Sequence, residues 1–297
     1  MSIKFKKGFT LVEILASVFI IALLAGITIL NFAKPQQEAI LTKVKSDWTI
    51  IEGKYIEKLV GKWSLDEGSG TVAGDSTDFK NNGTLTDSPT WQAEKDCISG
   101  SCLSFNGSSQ YVITNSSPGE IVSGRKARSI SAWVNPDNID PGGAVVAINA
   151  SSGQSFVMLV STISSTVYLF TDAINTNNNI TITGAEIPLA STWSNMVFTF
   201  DGVSTWKYYL NGLFIKSGTF ATTINTNPNN ISIGLKGGSS YWPGSIDEVS
   251  IYSEAITIAK VRSDYITGIN ELLARNVITK NEYNQRLAKL EGNMAKK

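Results

Sequence analysis

The stretch from Gly61 to Ser253 breaks its apolar residues into short runs separated by turn signals, and this leaves an antiparallel β architecture as the natural outcome. The runs Leu103 to Ile113, Ser129 to Val134, Ser155 to Leu159, Thr166 to Phe170, Asn195 to Phe200, Lys207 to Leu210, Ile231 to Ile233 and Ile246 to Tyr252 are strand-length and alternate or cluster their apolar side chains. Between them, Asn82-Gly83, Asn106-Gly107, Asp201-Gly202 and Asn211-Gly212 supply the positive-φ positions that hairpins and bulges need. Many short strands with such punctuation predict one all-β sandwich over 61–253 rather than a parallel α/β domain.

Upstream, the chemistry changes. Phe9 to Phe32 is almost wholly apolar and, at about 1.5 Å per residue, long enough to cross a hydrocarbon core of about 30 Å. Lys4, Lys6 and Lys7 would keep the start of the chain on the cytoplasmic side and leave the rest outside. Glu13 breaks the apolar run, and an acidic residue in a membrane helix costs about 2.5 to 3.5 kcal/mol near its centre, so it needs a partner. A secretory signal would have a shorter apolar stretch and a small-x-small cleavage site; Ala22 to Ala25 has the wrong spacing. A plain anchor would need no acid. From Lys34 to Val60, Ile40, Leu41, Val44, Trp48, Ile51, Tyr55 and Leu59 recur at spacings of three and four, predicting an amphipathic continuation of the same helix with Pro35 as a kink. This helix would either pack on the downstream domain or pair with another helix.

Composition narrows the chemistry. There are 25 basic and 25 acidic residues and no histidine, so there is no net field to attract nucleic acid, no histidine triad and no histidine metal site. Cys97 and Cys102, separated by Ile-Ser-Gly-Ser, are the only cysteines, and in an exported chain they are expected to form a local disulfide. The neighbours Asp66-Glu67 and Asp247-Glu248 point to opposite faces of a strand and do not make the opposed pair of a glycosidase. No nucleophile with a base is evident, and the chain is not expected to be an enzyme.

Two resemblances sharpen this picture. Lys6-Lys-Gly-Phe-Thr-Leu-Val-Glu13 resembles the processing site of type IV prepilins and pseudopilins. The resemblance implies cleavage by a prepilin peptidase between Gly8 and Phe9, N-methylation of Phe9, and a Glu13 that compensates the N-terminal ammonium of a neighbouring pilin subunit during filament assembly. It places the chain in the inner membrane with a single pass and, after assembly, in a surface pilus or filament. Trp63-Ser-Leu-Asp-Glu-Gly-Ser-Gly-Thr, Asn82-Gly-Thr-Leu, Leu103-Ser-Phe-Asn-Gly-Ser-Ser-Gln-Tyr-Val, Ile130-Ser-Ala-Trp-Val, Tyr208-Tyr-Leu-Asn-Gly and Gly244-Ser-Ile-Asp-Glu-Val-Ser-Ile-Tyr resemble successive strands of a laminin G-like, concanavalin A-like jelly roll. Where that family often has Trp-His, this chain has Trp193-Ser194. The family implies recognition of an extracellular glycan or protein and often a structural calcium ion, for which Asp66, Asp75 and Asp247 are the candidate ligands. The alternative for these three is turn capping and backbone hydrogen bonding. Most tryptophans read as core, whereas Tyr241 and Trp242, after a Gly-Gly-Ser-Ser loop, are the candidates for stacking on a ligand.

The tail turns helical again. Ile258, Val261, Tyr265, Ile269, Leu272 and Leu273 predict a helix within Glu254 to Asn276, and Thr279-Lys-Asn-Glu282 is a capping box opening a second. This segment resembles short helical oligomerisation tails, so the pair docks either on its own head or on a neighbour. The expected organisation is a leader over 1–8, a helix over 9–60 with the span at 9–32, the jelly roll over 61–253 and a helical tail over 254–297, an α+β chain. The expected function is that of a pilus-like or secretion-like filament subunit displaying its head for surface interaction. A minor pseudopilin or adhesin is the alternative, and a tethered carbohydrate-active enzyme a remote third.

Overall fold

The computed structural model describes Phe19 and residues 53–115, 122–138, 142–153, 155–163, 166–169, 171–173, 176–177, 180–182, 186–220 and 224–294. The expected processing site at Gly8 and Phe9, Glu13, and nearly all of the long N-terminal helix lie outside the described residues. No helix among the described residues is long and apolar enough to cross a membrane.

Two antiparallel sheets pack face to face. The front sheet runs β16 (Leu213–Thr219), β15 (Thr205–Leu210), β14 (Ser194–Phe200), β7 (Arg128–Pro136), β20 (Pro243–Tyr252), β5 (Cys102–Asn106), β4 (Thr90–Gln92), with β1 (Leu59–Trp63) also on β20. The back sheet runs β12 (Thr176–Asn177), β11 (Thr171–Ala173), β9 (Ser155–Ile163), β8 (Gly142–Gly153), β17 (Thr226–Ile233), β6 (Tyr111–Thr114), β3 (Gly83–Thr86), β2 (Val72–Ala73). A hairpin of β10 (Thr166–Leu169) and β13 (Ile180–Ile182) joins at β9, and β18 (Leu235–Lys236) pairs with β19 (Ser240–Tyr241).

Strict alternation sets the layers. Met196, Phe198 and Phe200 of β14, Ile130, Ala132 and Val134 of β7, and Ile246, Val249 and Ile251 of β20 point inward. There they meet Val146 and Ile148 of β8, Phe156, Met158 and Val160 of β9, and Ile231 and Ile233 of β17. Phe156 and Phe198 stack across the gap with ring centroids 5.0 Å apart. β20 is the spine: its first half pairs with β5 and its second half with β1, and the exchange occurs at a bulge where Glu248 adopts a φ of 48°.

The helix expected to run to Val60 ends earlier. Residues 53–56 are helical, but Leu59 and Val60 belong to β1, paired through Leu59 with Tyr252. A three-four spacing cannot distinguish the last turn of a helix from a strand whose partner lies almost 200 residues away. The run Leu103 to Ile113 is likewise two strands, β5 and β6, in different sheets. Asn106 makes the corner: its side-chain oxygen accepts from the backbone N–H of Ser108, Ser109 and Gln110.

The tail docks on its own head. Helix α1 (Ile258–Ala274) is capped by Thr257, whose hydroxyl accepts from Lys260 N–H at 3.4 Å, and it stops where Asn276 takes a φ of 59°. Helix α2 (Lys280–Met294) starts at Thr279, whose hydroxyl accepts from Glu282 N–H at 3.2 Å. The expected capping box is half made, because the Glu282 carboxylate goes to Arg286 at 2.7 Å instead. Tyr265, Ile269, Leu272 and Leu290 bury against Trp133 and Trp193 on the outer face of the front sheet.

Candidate functional site

The outer face of the front sheet and the loops around it carry the residues with chemical potential. The Cys97–Cys102 disulfide is present, with Cα atoms 5.6 Å apart, and closes the loop before β5. That loop sits at a junction. Ile98 and Ser99 N–H donate to one carboxylate oxygen of Asp247 at 2.8 and 3.3 Å, and Glu248 N–H donates to the other at 2.8 Å. Arg275 of the tail donates to the carbonyls of Glu94 and Gly100, both at 3.4 Å, and Trp193 Nε1 donates to Asp96 O at 2.9 Å. Gly100 has a φ of 41°, and a Cβ there would overlap the Asp66 carboxylate.

The three candidate calcium ligands do not converge. Asp75 is buried within its own loop, where its two oxygens accept from the N–H of Lys62, Thr77 and Asn81 and from the Thr77 hydroxyl, each at 2.9 Å. Asp247 is spent on the disulfide loop. Asp66 is exposed beside Glu67 and Glu248, and partial desolvation followed by repulsion from Glu248 raises its carboxyl above the usual range. Among the described residues, the group of acidic or sulfur side chains close enough to share an ion is Cys97, Cys102 and Asp247, and its cysteines are oxidised to the disulfide. Calcium takes six to eight oxygens. This donor set does not fit it.

Burial, and secondarily Glu248, push the Asp247 carboxyl well above its usual value of 3.8, against the downward pull of its three backbone donors. A carboxyl raised on folding contributes stability that is complete below the unfolded value and is lost as pH rises through the folded one. Asp247→Asn cannot titrate and leaves one backbone N–H facing an amide NH2, a loss of about 1 to 3 kcal/mol. The stability gap between wild type and variant is therefore expected to be widest near pH 4 and to narrow as pH rises. Thermal melts from acid to neutral pH check this, and parallel profiles would contradict it.

Trp242 is corrected by the structure. It is 1% exposed within the core between the sheets and offers no face to a ligand. The Gly-Gly-Ser-Ser loop before it folds back through the β18–β19 pair, and Trp242 N–H donates to Gly234 O at 2.9 Å. Tyr241 stays half-buried, its ring 6.3 Å from that of Tyr111.

A groove of 620 Å³ opens elsewhere on the front sheet. Its floor crosses three strands: register sets Tyr209 beside Phe214, and Thr199, Lys207 and Ser217 side by side in the next row. Tyr209 and Thr199 are themselves buried, so the open part of the floor is Lys207, Phe214 and Ser217. Tyr209 and Phe214 meet edge to face, with centroids 5.9 Å apart. One end holds Asp201 and Thr205, the other wall Ala255 to Ile258 on the approach to α1. Burial tends to raise the Asp201 carboxyl, but hydrogen bonds from Val203, Thr205 and Ser204 outweigh it and hold the group below its usual value. Asp201 is the one carboxylate among the residues lining the groove. Alternation along Lys207 to Leu210 already marks Lys207 and Tyr209 as outward in the sequence. Their alignment with Phe214 and with the wall at Ala255 does not show there.

Comparison with known proteins agrees with this architecture. No curated protein sequence matches the chain. Domain 4 of AbnA, a GH43 extracellular arabinanase from Geobacillus stearothermophilus solved in complex with arabinotriose, superposes with a TM-score of 0.56 at 22% identity, over 70% of this chain and 98% of that one. The binding domain of Paraclostridial Mosquitocidal Protein 1 superposes with a TM-score of 0.56 at 16% identity, over 72% of this chain and 53% of that one. The botulinum neurotoxin serotype G binding domain gives 0.53 at 16% identity, over 70% and 50%. The chain thus spans about half the length of the two toxin binding domains, and at these identities the likeness is one of fold. A prokaryotic N-terminal methylation motif matches residues 3–29. The model of the concanavalin A-like lectin/glucanases superfamily matches residues 106–262, more than half of the chain, a stretch that holds β6 to β20 of the sandwich described above; this protein belongs to that superfamily, with a pilin-type methylation motif at its N-terminus.

Proposed function

We propose that this chain is a subunit of a pilus-like or secretion-like filament that carries a lectin-like binding head on its surface. The observation that carries the reading is the coexistence of a methylation motif at residues 3–29 with a concanavalin A-like domain at 106–262. In this reading a prepilin peptidase cuts after Gly8, the new amine on Phe9 is methylated, and Glu13 pairs with that amine on an adjacent subunit. Pairing removes two uncompensated charges from a low-dielectric rod. The chain then sits first in the inner membrane with its head outside and later in the fibre.

Recognition rather than hydrolysis is the better use of the head. Its groove is lined by a single carboxylate, which its own turn occupies, whereas glycoside hydrolysis ordinarily needs two opposed ones. Similarity in fold to a domain solved with arabinotriose and to two toxin binding domains supports the same reading.

The mature protein is expected to begin at N-methylated Phe9, as read by mass spectrometry. Glu13→Ala is expected to abolish fibres while leaving the subunit in the membrane, as read by imaging and by yield in sheared fractions. Unchanged fibre yield, or an intact Met1, would sink the proposal.

A further inference from the structure

We propose that the Cys97–Cys102 disulfide is a redox latch for the C-terminal helices: while the bond stands it seats α1 and α2 on the head, and its reduction releases them. Both cysteines are 0% exposed, and they share one apolar cluster with Ile98 of their own loop and with Tyr265, Ile269 and Leu272 of α1. The loop is therefore part of the surface on which the tail lies. The tail also grips its backbone, because Arg275, at the end of α1, donates to Glu94 O and Gly100 O, each at 3.4 Å. From β20, Asp247 accepts from the N–H of Ile98 and Ser99, and Glu248 accepts from the Ser99 hydroxyl at 2.7 Å. Disulfide, loop and tail thus pack as one unit on the outer face of the front sheet.

Reduction undoes this unit from within. The thiolate of an external dithiol attacks one sulfur and breaks the S–S bond, leaving a mixed disulfide. The second thiol of the reductant then displaces that cysteine, so the chain takes up two electrons and two protons and the dithiol leaves as its own disulfide. Two thiols need more room than the bond they replace, and here they are enclosed in a packed cluster. The loop over 97–102 also regains the freedom that the bond removed, so Ile98 and the carbonyl of Gly100 lose their fixed positions under the tail. The sandwich has no such dependence, because its sheets meet through a separate core in which neither cysteine takes part. Linkage makes the effect mutual: the factor by which oxidation favours docking is the factor by which docking protects the bond from reduction. The latch goes beyond the filament reading and does not need it; in an exported chain its consequence is that the tail seats once the head reaches an oxidising compartment.

The test uses the full chain in detergent, equilibrated in mixtures of reduced and oxidised dithiothreitol. Free thiols are counted by alkylation and mass spectrometry, and the tail is read by trypsin cleavage after Arg275, Lys280 and Arg286. Reduction of the wild type is expected to speed cleavage of the tail by about tenfold or more, while Arg128, buried in the sandwich, stays uncut. Reoxidation is expected to restore the protection. Tyr265→Ala loosens the tail from the opposite side and is expected to lower the ratio of reduced to oxidised dithiothreitol at half-reduction by about tenfold or more. Arg275→Ala, a milder change that removes only the grip on the loop backbone, is expected to shift the ratio in the same direction by less. A reduced chain whose tail stays as protected as the oxidised one would overturn the proposal, as would two variants whose bonds resist reduction as well as wild type. Cleavage at Arg128 that keeps pace with the tail would overturn it too, since the bond would then be a staple of the whole head.

Discussion

Arg128→Met is expected to destabilise the head by about 3 to 5 kcal/mol, lowering its melting midpoint on the order of 10 °C. Arg128 is 0% exposed, yet no carboxylate among the described residues pairs with it. Its guanidinium donates to three carbonyls, Val122 O at 2.5 Å, Gly124 O at 2.6 Å and Lys126 O at 3.0 Å, and lies 5.4 and 5.9 Å from the rings of Phe156 and Phe200. Burial pushes its pKa down to about 10, so it is still charged at neutral pH. The loop it holds also bridges to the back sheet, where Gly124 N–H donates to Thr226 O at 2.6 Å and Thr226 N–H donates back at 3.2 Å. Methionine fills much of the volume but withdraws the guanidinium donor from all three carbonyls, and Gly124 O keeps its bond from Thr226 N–H. Arg128→Lys restores a compact cation and some of the bonds and is expected to cost less than half as much. A Met variant that melts with wild type would show that water replaces the guanidinium at no cost.

Tyr265→Ala is the second large effect, with an expected loss of about 3 to 5 kcal/mol by analogy with other buried aromatics truncated to alanine. Tyr265 lies flat on Trp133, with centroids 5.5 Å apart and planes 14° apart, and it is 2% exposed. The fit around this stack is close. A Cβ on Gly268 would overlap the Trp133 indole, and one on Gly212 would lie 2.8 Å from Leu290. Arg286 adds a polar clasp by donating to Trp193 O at 3.0 Å. Removing the ring opens a cavity at the centre of the contact between tail and sheet. The variant is therefore expected to lose near-ultraviolet dichroism from tryptophan and to expose Arg275, Lys280 and Arg286 to trypsin before the sandwich unfolds. A tail as protected in the variant as in wild type would show that the stack contributes little.

Much of the sandwich was readable in advance because its signals are local. The alternation along Asn195 to Phe200, the Asn106 and Asn211 turns and the spacing from Val261 to Leu272 each depend on residues a few positions apart. Strands with weak alternation escaped. Gly142–Gly153 is rich in glycine, alanine and serine, and Leu213–Thr219 has mostly part-exposed side chains. Thr90–Gln92 is too short to show a period. The disulfide was legible from spacing and composition. Trp242 was misread because the glycines and serines before it suggest an open loop, and nothing nearby shows that the chain turns back into the core.

The amino-acid order alone settles most of the turns, the inward side chains of the strands that alternate clearly and where the closing helices begin, since rotamer, φ and hydrogen-bond preferences act over one to four residues. The tertiary structure decides what meets what. Ile98 reaches Asp247 across 149 positions and Tyr55 reaches Thr257 across 202. Such contacts set the fate of three aspartates, the seat of the tail and the alignment of Tyr209, Phe214 and Lys207 along one groove. No local preference encodes them, because each depends on the order in which strands are laid side by side, and that order is chosen by the burial of the whole core at once.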